Sequence, residues 1–254
     1  MSYREIVPHS ALRPFVDRFW IHAGTEGARA SARRILPDGC IDVLIHLAHG
    51  GRAVAVGAMT KAFITSSDAA WPIAAVRFRP GGAAPFLRLS VHELTDRHVD
   101  AIDLGHAWLD DPRESTADAA VSRIERSLLA KLSSVSAPDR RIARAVDLLF
   151  GPDAPSIDAL AQHLGWSRQH LGRAFRSHVG IGPKQLARVA RVQRAIDALQ
   201  RDRGERLAAT AAGLGYFDEA HMALDFREIV GLTPGEVRAA RGSIFPIRSL
   251  LDAP

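Results

Sequence analysis

The second half of the chain contains one pattern of apolar and polar positions twice. Residues 159–183, ALAQHLGWSRQHLGRAFRSHVGIGP, align with residues 209–234, ATAAGLGYFDEAHMALDFREIVGLTP, at an offset of 50 that becomes 51 after Phe217. Each copy has a short apolar-periodic segment, Leu-Gly, an aromatic residue, a second periodic segment and a Gly-x-x-Pro sequence. A repeat of this kind is one supersecondary unit built twice. The pattern therefore predicts two copies of helix, turn and helix.

The turn residues have a physical reason. Gly165 and Gly215 each follow the last apolar residue of a short helix, where the chain needs a left-handed backbone that glycine adopts without a Cβ clash. Ser167 and Asp218 then lie at the N-cap of the next helix, where a side-chain oxygen accepts a backbone N–H. This order predicts a helix-turn-helix in each copy.

The second helix of the first copy has two different faces. Leu171, Ala174, Phe175 and Val179 recur at helical spacing and are expected to face the core. The opposite face combines cations, an amide and a small residue: Arg168, Gln169, Gly172, Arg173 and Arg176. Such a face fits a DNA major groove, because it offers bidentate donors to base edges and cations to phosphates. The alternative is a solvated charged face on an ordinary helical bundle.

The residues from 139 to 240 resemble the DNA-binding domain of the AraC/XylS family of bacterial transcription regulators. LAQHLGWSRQHLGRAFRSHVGIGPKQLARVARVQRAIDAL and AAGLGYFDEAHMALDFREIVGLTPGEVR are similar to its two linked motifs. The resemblance implies two helix-turn-helix units, joined by one long helix, that enter successive major-groove segments. It implies base contacts by Gln169, Gly172 and Arg173, with Ser167, Arg168 and Arg176 near phosphates. The full set of expected DNA-binding residues also includes Lys184, Asp218, Glu219, Ala223 and Arg227.

Two departures from the family pattern matter. Gly182 and Leu186 replace the hydroxyl residue and the aromatic residue that are usual around the first Pro, so the entry to the joining helix is expected to pack less tightly. The outward positions of the second recognition helix suit neither phosphate nor guanine, because they are Glu219, Ala220, Ala223 and Leu224. We therefore expect the first copy to supply most of the base reading. The second copy is expected to support the fold, touch the DNA backbone or face RNA polymerase.

The front half has a β-rich pattern. A Pro-Asp-Gly turn introduces the run Ile41–Leu47, and RAVAVGAM, KAFITS and WPIAAVRFRP indicate further strands of an antiparallel sheet or small barrel. Helical spacing predicts a short helix over residues 11–20 and another over 114–132. In the latter, the stripe Ala120, Ile124 and Leu128 is expected to pack on the β-domain in preference to dimerising. The fold class is α+β, with a barrel-like β-rich domain and its helices before an all-α domain.

Composition shifts divide the chain into residues 1–132 (sensor or dimerisation domain), 133–138 (linker), 139–241 (DNA-binding domain) and 242–254 (tail). LPDGCIDVLIHL, VGAMT and VRFRPGGAAPFL resemble a domain of unknown function that precedes the helix-turn-helix pair in one branch of AraC-type regulators. The resemblance covers about residues 8–132 and names no ligand. In the wider family, such β-rich domains bind a small effector, dimerise or do both.

Candidate chemistry in the front half is sparse. The candidates for contact with an effector are Asp38, Cys40, Asp42, Arg77 and Arg79. A turn that starts a strand explains Asp38 and Asp42 equally well. Arg77 and Arg79 are expected on one face of their strand, and ion pairs are the alternative explanation for them. Cys40 is a candidate alkyl acceptor or a small buried residue. No metal or cofactor is predicted, because His46 and His49 would point to opposite faces of a strand and no phosphate loop or catalytic triad spacing occurs.

Charge supports a polyanionic partner. The 254 residues carry a net charge of +5, and the excess of Lys and Arg over Asp and Glu is +1 for residues 1–137 and +4 for 138–254. Between Gly165 and Arg206 ten cations face three acids, which favours phosphate contacts that weaken with salt. The single cysteine and the absence of a signal-like or membrane-length apolar run predict a cytoplasmic protein.

The sequence thus predicts a transcription regulator that binds double-stranded DNA and is not an enzyme. RNA polymerase, a small-molecule effector and a second copy of the chain are candidate partners. Two alternatives stay open: a DNA-targeted alkyl acceptor that uses Cys40, and an architectural protein that binds DNA without reading bases.

Overall fold

The computed structural model describes residues 3–24, 31–47, 52–67, 72–104, 116–201 and 206–240. Within these ranges an amino-terminal β-rich half precedes a helical half, which confirms the predicted α+β class. The strands are β1 (Tyr3–Ile6), β2 (Val16–His22), β3 (Ser31–Ile35), β4 (Ile41–His46), β5 (Arg52–Val56), β6 (Phe63–Ser67), β7 (Ile73–Phe78) and β8 (His98–Asp100). The helices are α1 (Ala84–Leu87), α2 (Ala117–Lys131), α3 (Arg140–Phe150), α4 (Ile157–His163), α5 (Arg168–Val179), α6 (Pro183–Arg201), α7 (Leu207–Gly213), α8 (Glu219–Ile229) and α9 (Pro234–Ala239). The predicted tail, 242–254, and His49 lie outside the described residues.

The strands form two antiparallel sheets. Six of them follow the order β1-β2-β7-β4-β5-β8, and β3 pairs with β6. At the centre, Val43 of β4 lies opposite Val76 of β7, and both are fully buried. Helix α2 packs on β2 and β7, and its stripe of Ala120, Ile124 and Leu128 is completely buried. As expected, this stripe covers its own domain.

The short helix predicted over residues 11–20 is wrong. A 3-10 turn, Ser10–Leu12, and a turn over residues 13–15 lead to β2, which pairs with β7. Aromatic and β-branched residues such as Val16 and Phe19 fit a pleated, half-buried surface, so sheet pairing outweighs the helical spacing. Both side chains are fully buried. The apolar positions were therefore identified correctly and assigned to the wrong element.

The duplicated unit of the helical half contains three helices, one more than the sequence pattern predicted. Residues 141–150, RIARAVDLLF, match residues 191–200, RVQRAIDALQ, at the same offset of 50. The contacts repeat as well: the Arg141 guanidinium lies 4.5 Å from the ring centre of Trp166, and that of Arg191 lies 5.1 Å from Tyr216. The units are therefore α3-α4-α5 and α6-α7-α8. Helix α6 is the first helix of the second unit, and its N-terminal part also packs against the first unit.

The two halves share their apolar cores. One continuous cluster runs from Phe19 and Phe78 of the sheet to Phe175 and Leu186 of the helical half. A second cluster joins Leu36 of the β-rich half to the second three-helix unit. Between the halves, a 3-10 turn, Leu132–Ser134, leads to α3, whose N-terminus is capped by Asp139. None of the described helices combines the length and the apolar character needed to span a bilayer.

A buried ion cluster connects the central strands. Arg77 of β7 donates from Nε and Nη2 to the carboxylate of Asp42, at 3.0 and 2.7 Å, and from Nη1 to Asp38, at 2.8 Å. Asp42 also accepts from the indole N–H of Trp20 at 3.2 Å. Arg77 and Asp38 are almost fully buried. Burial alone would lower the pKa of Arg77, but the two carboxylates outweigh it and raise that pKa.

We expect Arg77→Met to lower the free energy of unfolding by about 3–5 kcal/mol, because it leaves two carboxylates buried without their cation. The matched control is Arg52→Met, which removes a strand arginine whose side chain is 68% exposed in its ion pair with Asp100 and should cost at most about 1 kcal/mol. Urea unfolding measures both. Equal losses in the two variants would show that the cluster is not structural.

Candidate nucleic-acid interface

Both predicted turns and caps are present. Gly165 and Gly215 adopt left-handed backbone with φ of 67° and 74°. The Ser167 hydroxyl accepts the His170 backbone N–H at 3.1 Å, and Asp218 accepts that of His221 at 2.7 Å. These caps satisfy N–H groups that have no partner inside the helix. Helices α5 and α8 are therefore the second helices of two helix-turn-helix motifs.

Helix α5 separates its faces as predicted. Leu171, Phe175 and Val179 are fully buried, and Ala174, also expected in the core, is half-buried. The opposite face is exposed and carries Arg168, Gln169, Arg173 and Arg176, with Gly172 half-buried among them. This burial fixes the rotation of the helix, so the three arginines and the glutamine point to solvent together.

Two details shape this basic face. A Cβ placed on Gly172 would meet only the tip of Arg176, at 3.9 Å, so the centre of the helix surface is open. Arg168 forms a 3.0 Å ion pair with Asp158 of α4, and both side chains are about two-thirds exposed. An exposed pair of this kind contributes little and opens readily. The arginine is thus available to a polyanion that approaches the helix.

Helix α8 presents a different surface. Its capping residue Asp218 and the following Glu219 are exposed, Ala223 is half-buried, and Leu224 is 56% exposed. Phe217, immediately before the cap, is 90% exposed. The one-residue insertion marks this position in the sequence, but the alignment gave no reason to expect an exposed ring. The N-terminal part of α8 is consequently acidic and apolar.

The remaining expected contact residues lie outside the N-terminal turns of the two recognition helices. Lys184 is exposed in the first turn of α6, and Arg227 is exposed in the last turn of α8. The joining helix is fixed to the second unit by Arg188, which donates to the buried carboxylate of Asp225 at 2.7 Å and also contacts Glu228. The second recognition helix is thereby attached to the helix that ends the first unit.

The β-rich half contacts the carboxy-terminal ends of both recognition helices. Gly180, just past α5, accepts a hydrogen bond from Thr95, and Ile229, the last residue of α8, accepts one from the backbone of Ala62. Between these contacts lies a groove of about 550 Å³, lined in part by Lys61, Arg176 and Arg188. Sequence reasoning missed Thr95, Ala62 and Lys61, because no local pattern records a contact between distant segments.

The five expected effector-contact residues are only partly brought together. Asp38, Asp42 and Arg77 satisfy one another inside the ion cluster, and Cys40 is buried beside them, its backbone N–H bound to Asp38 at 2.9 Å. Arg79 lies just beyond the end of β7 and is exposed, whereas Arg77 is buried in the ion cluster. Its Nε donates instead to the carbonyl of Arg13 at 3.0 Å. The expectation of one strand face for Arg77 and Arg79 is therefore wrong.

Cys40 lies in an environment that suppresses thiolate formation. Its residue exposure is 8%, and burial, followed by the charge of Asp38, raises its pKa well above the usual range. The thiolate is the nucleophilic form of cysteine. Among the described residues there is also no cluster of three His, Cys, Asp or Glu side chains that could hold a metal ion.

Comparison with known proteins agrees with the geometry of the helical half. Residues 160–240 match a family model described as a helix-turn-helix domain. Uncharacterised HTH-type transcriptional regulators of Staphylococcus aureus are 28% identical over 100 residues, which is 39% of this chain and 13% of theirs. The chain thus spans about an eighth of the length of these relatives.

The carboxy-terminal half contains an AraC-type helix-turn-helix domain. The resemblance drawn from the paired motifs is thereby confirmed. Preceding this AraC-type domain, residues 4–100 match a domain of unknown function, DUF6597.

Two solved structures are also similar to this chain. A transcriptional regulator from Chromobacterium violaceum, described as containing an AraC-type DNA-binding domain, is 26% identical, with 42% of this chain and 96% of that chain covered and a TM-score of 0.38. ToxT from Vibrio cholerae, solved with an unsaturated fatty acid, is 11% identical and has a TM-score of 0.42. The match covers 96% of this chain and 95% of that chain.

Proposed function

We propose that this protein is a sequence-specific DNA-binding transcription regulator whose two recognition helices enter successive segments of the major groove. The observation that carries the proposal is the exposed basic face of α5. Its arginines point to solvent because the opposite face is buried, and the β-rich half packs against the helix through α1 and residues 91–95. Recognition helices of helix-turn-helix proteins use their N-terminal residues to contact base edges.

The first unit reads bases in this proposal. Gln169 and Arg173 have the side chains that pair bidentately with adenine and with guanine, and the open surface at Gly172 lets the groove wall approach. Ser167, Arg168 and Arg176 lie at either end of this group, where phosphates flank the groove. Lys184 adds a cation in the first turn of α6. Most of the sequence information would therefore pass through one helix.

The second unit has a different role. Asp218 and Glu219 disfavour phosphate at the start of α8, while Ala223 and the exposed Leu224 offer methyl groups. Arg227 supplies a cation near the end of the helix. We assign to this unit backbone contacts and apolar contacts to thymine methyl groups, with RNA polymerase as the alternative partner of its acidic and apolar surface.

A small effector is proposed to bind in the groove between the halves, not in the ion cluster that the sequence indicated. The cluster residues are paired with one another, whereas the groove combines the cations Lys61 and Arg176 with the apolar side chains of Ile181 and Ile229. These features suit a small organic anion with an apolar body. Because Arg176 is also an expected phosphate contact, such a ligand would compete with DNA for one guanidinium.

The two alternative functions fit the structure less well. Alkyl transfer needs an accessible thiolate, and the burial and raised pKa of Cys40 oppose it. An architectural protein would need no amide or guanidinium arranged for base edges, yet α5 presents both on one face. A comparison of specific and scrambled duplexes at two salt concentrations separates base reading from such binding.

Arg173→Ala is expected to reduce discrimination at one base pair by about 1–3 kcal/mol, whereas Arg176→Ala should weaken specific and random duplexes to a similar extent. The control is Arg126→Ala, an exposed arginine of α2, the helix that packs on β2 and β7, and this variant should bind as the parent protein does. Fluorescence anisotropy on a selected operator and on its single-base variants measures each effect. Equal losses on specific and random DNA for Arg173→Ala would remove that residue from the base-reading set.

Lys61→Gln is expected to weaken binding of 8-anilinonaphthalene-1-sulfonate, an anion with an apolar body, by about tenfold, the usual value of one charge-assisted contact. Lys131→Gln, on α2, is the matched control and should leave the affinity unchanged. A fluorescence titration gives both dissociation constants. If the two variants bind the probe as the parent protein does, the groove is not an anion site.

A further inference from the structure

Equivalent points of the two helix-turn-helix units are both held by the β-rich half. Gly180 and Gly231 occupy corresponding positions of the duplicated sequence, one residue after the valine that ends each recognition segment. Both adopt left-handed backbone, with φ of 97° and 74°. Side chains of the β-rich half lie against both glycines, although these are 51 residues apart in sequence.

At the first unit, the contact is made by the segment from Val91 to Thr95. The Thr95 hydroxyl donates to the carbonyl of Gly180 at 2.7 Å. A Cβ on Gly180 would lie 3.3 Å from the Val91 carbonyl oxygen and 3.3 Å from the Cβ of Ala58, so the backbone approaches closely here. This contact holds the carboxy-terminal end of α5 against the β-rich half.

At the second unit, the contact is made by the β3-β6 pair. The Arg34 guanidinium donates from Nη1 to the carbonyl of Val230 at 2.5 Å, and the backbone N–H of Ala62 donates to the carbonyl of Ile229 at 2.6 Å. These carbonyls lie at the carboxy-terminal end of α8, where a cation is favoured by the helix dipole. A Cβ on Gly231 would lie 2.8 Å from Arg34 Nη1 and displace it.

The two contacts are tied to each other. The carboxylate of Asp96, next to Thr95, accepts the backbone N–H of Thr60 at 2.7 Å and its hydroxyl at 2.6 Å. Thr60 is two residues before Ala62, and the backbone N–H of Asp96 returns a bond to Ala58 at 3.2 Å. We name Arg34, Thr60, Ala62, Thr95 and Asp96 the brace. Through the Asp96–Thr60 bonds, the end of α5 and the end of α8 are connected by a path that does not pass through α6.

We propose that the brace fixes the separation of the two recognition helices, and that Arg34 and Asp96 are positioning residues that set the spacing of the half-sites the protein accepts in DNA. The proposal rests on the proposed function. Helix α6 already joins the units and packs into both apolar cores, which orients the two units. The brace adds a second connection at the far ends of α5 and α8. Two connections resist a change of separation more than α6 does alone, so a duplex with altered spacing can no longer meet both helices.

The test uses the full-length protein and an operator selected by it from random duplexes. One or two base pairs are inserted or deleted between the two half-sites, and dissociation constants are measured for the parent protein, Arg34→Gln and the control Arg52→Gln. For a one-base-pair change in spacing, the affinity of the parent protein and of the control should fall about tenfold or more, which is comparable to the loss caused by a mismatched base pair. Arg34→Gln should lose less than about threefold, while its affinity for an isolated first half-site stays within about twofold of the parent's.

Asp96→Asn is the second variant, because asparagine tolerates the left-handed backbone at this position, where φ is 55°. It should reduce the spacing selectivity in the same way, and it replaces Arg34→Gln in the test if that variant does not fold. Spacing selectivity equal to the parent's in the folded variants would overturn the proposal. Tighter binding of either variant at the native spacing, with spacing selectivity equal to the parent's, would also overturn it. In that case the brace would weaken DNA binding and would not set the spacing. Failure of the parent protein to select any sequence would overturn the proposed function and this inference together.

Discussion

The structure of the helical half depends on one constraint, the membership of α6 in two apolar cores. Its N-terminal part packs after the first three-helix unit, in the position that α9 has after the second. The C-terminal part is the first helix of the second unit, in the position that α3 has in the first. Leu186 packs in the first core, while Val192 and Leu199 pack in the second. Because each core needs this helix in one rotation, the orientation of α5 and α8 relative to each other follows from side-chain packing.

The duplicated architecture carries surfaces of unlike charge. The caps, the left-handed glycines and the arginine above an aromatic ring are retained in both units, and all of these stabilise the helix-turn-helix fold itself. The outward residues have diverged: α5 presents three arginines, while α8 presents Glu219 and exposed apolar side chains. Packing thus preserves the scaffold, and function is free to differ between the two outer faces, which is why the proposed base reading is concentrated in the first.

The parts of the fold that follow local rules were predictable from the sequence, and the parts that depend on distant contacts were not. Caps at Ser167 and Asp218 and the two faces of α5 follow from residue type and helical spacing. The strand at Val16–His22 was missed because its pairing partner, β7, lies far along the chain. The sequence named Arg77, Asp38 and Asp42 but could not show that they pair with one another. The contact of Arg34 with α8 had no sequence signal at all, since no periodicity joins residues 196 positions apart.

The most direct measurement maps each recognition helix on DNA by cleavage from a tethered iron chelate. Cys40 is the only cysteine, so a Cys40→Ala background allows single attachment at Gln169→Cys in α5 or at Glu219→Cys in α8. On a selected operator, two localised cleavage centres about 10 base pairs apart on the same side of the duplex are expected, one helical turn between adjacent major-groove segments. Cleavage from both positions at a single centre, or cleavage spread evenly along the duplex, would contradict recognition by two helices held in fixed register.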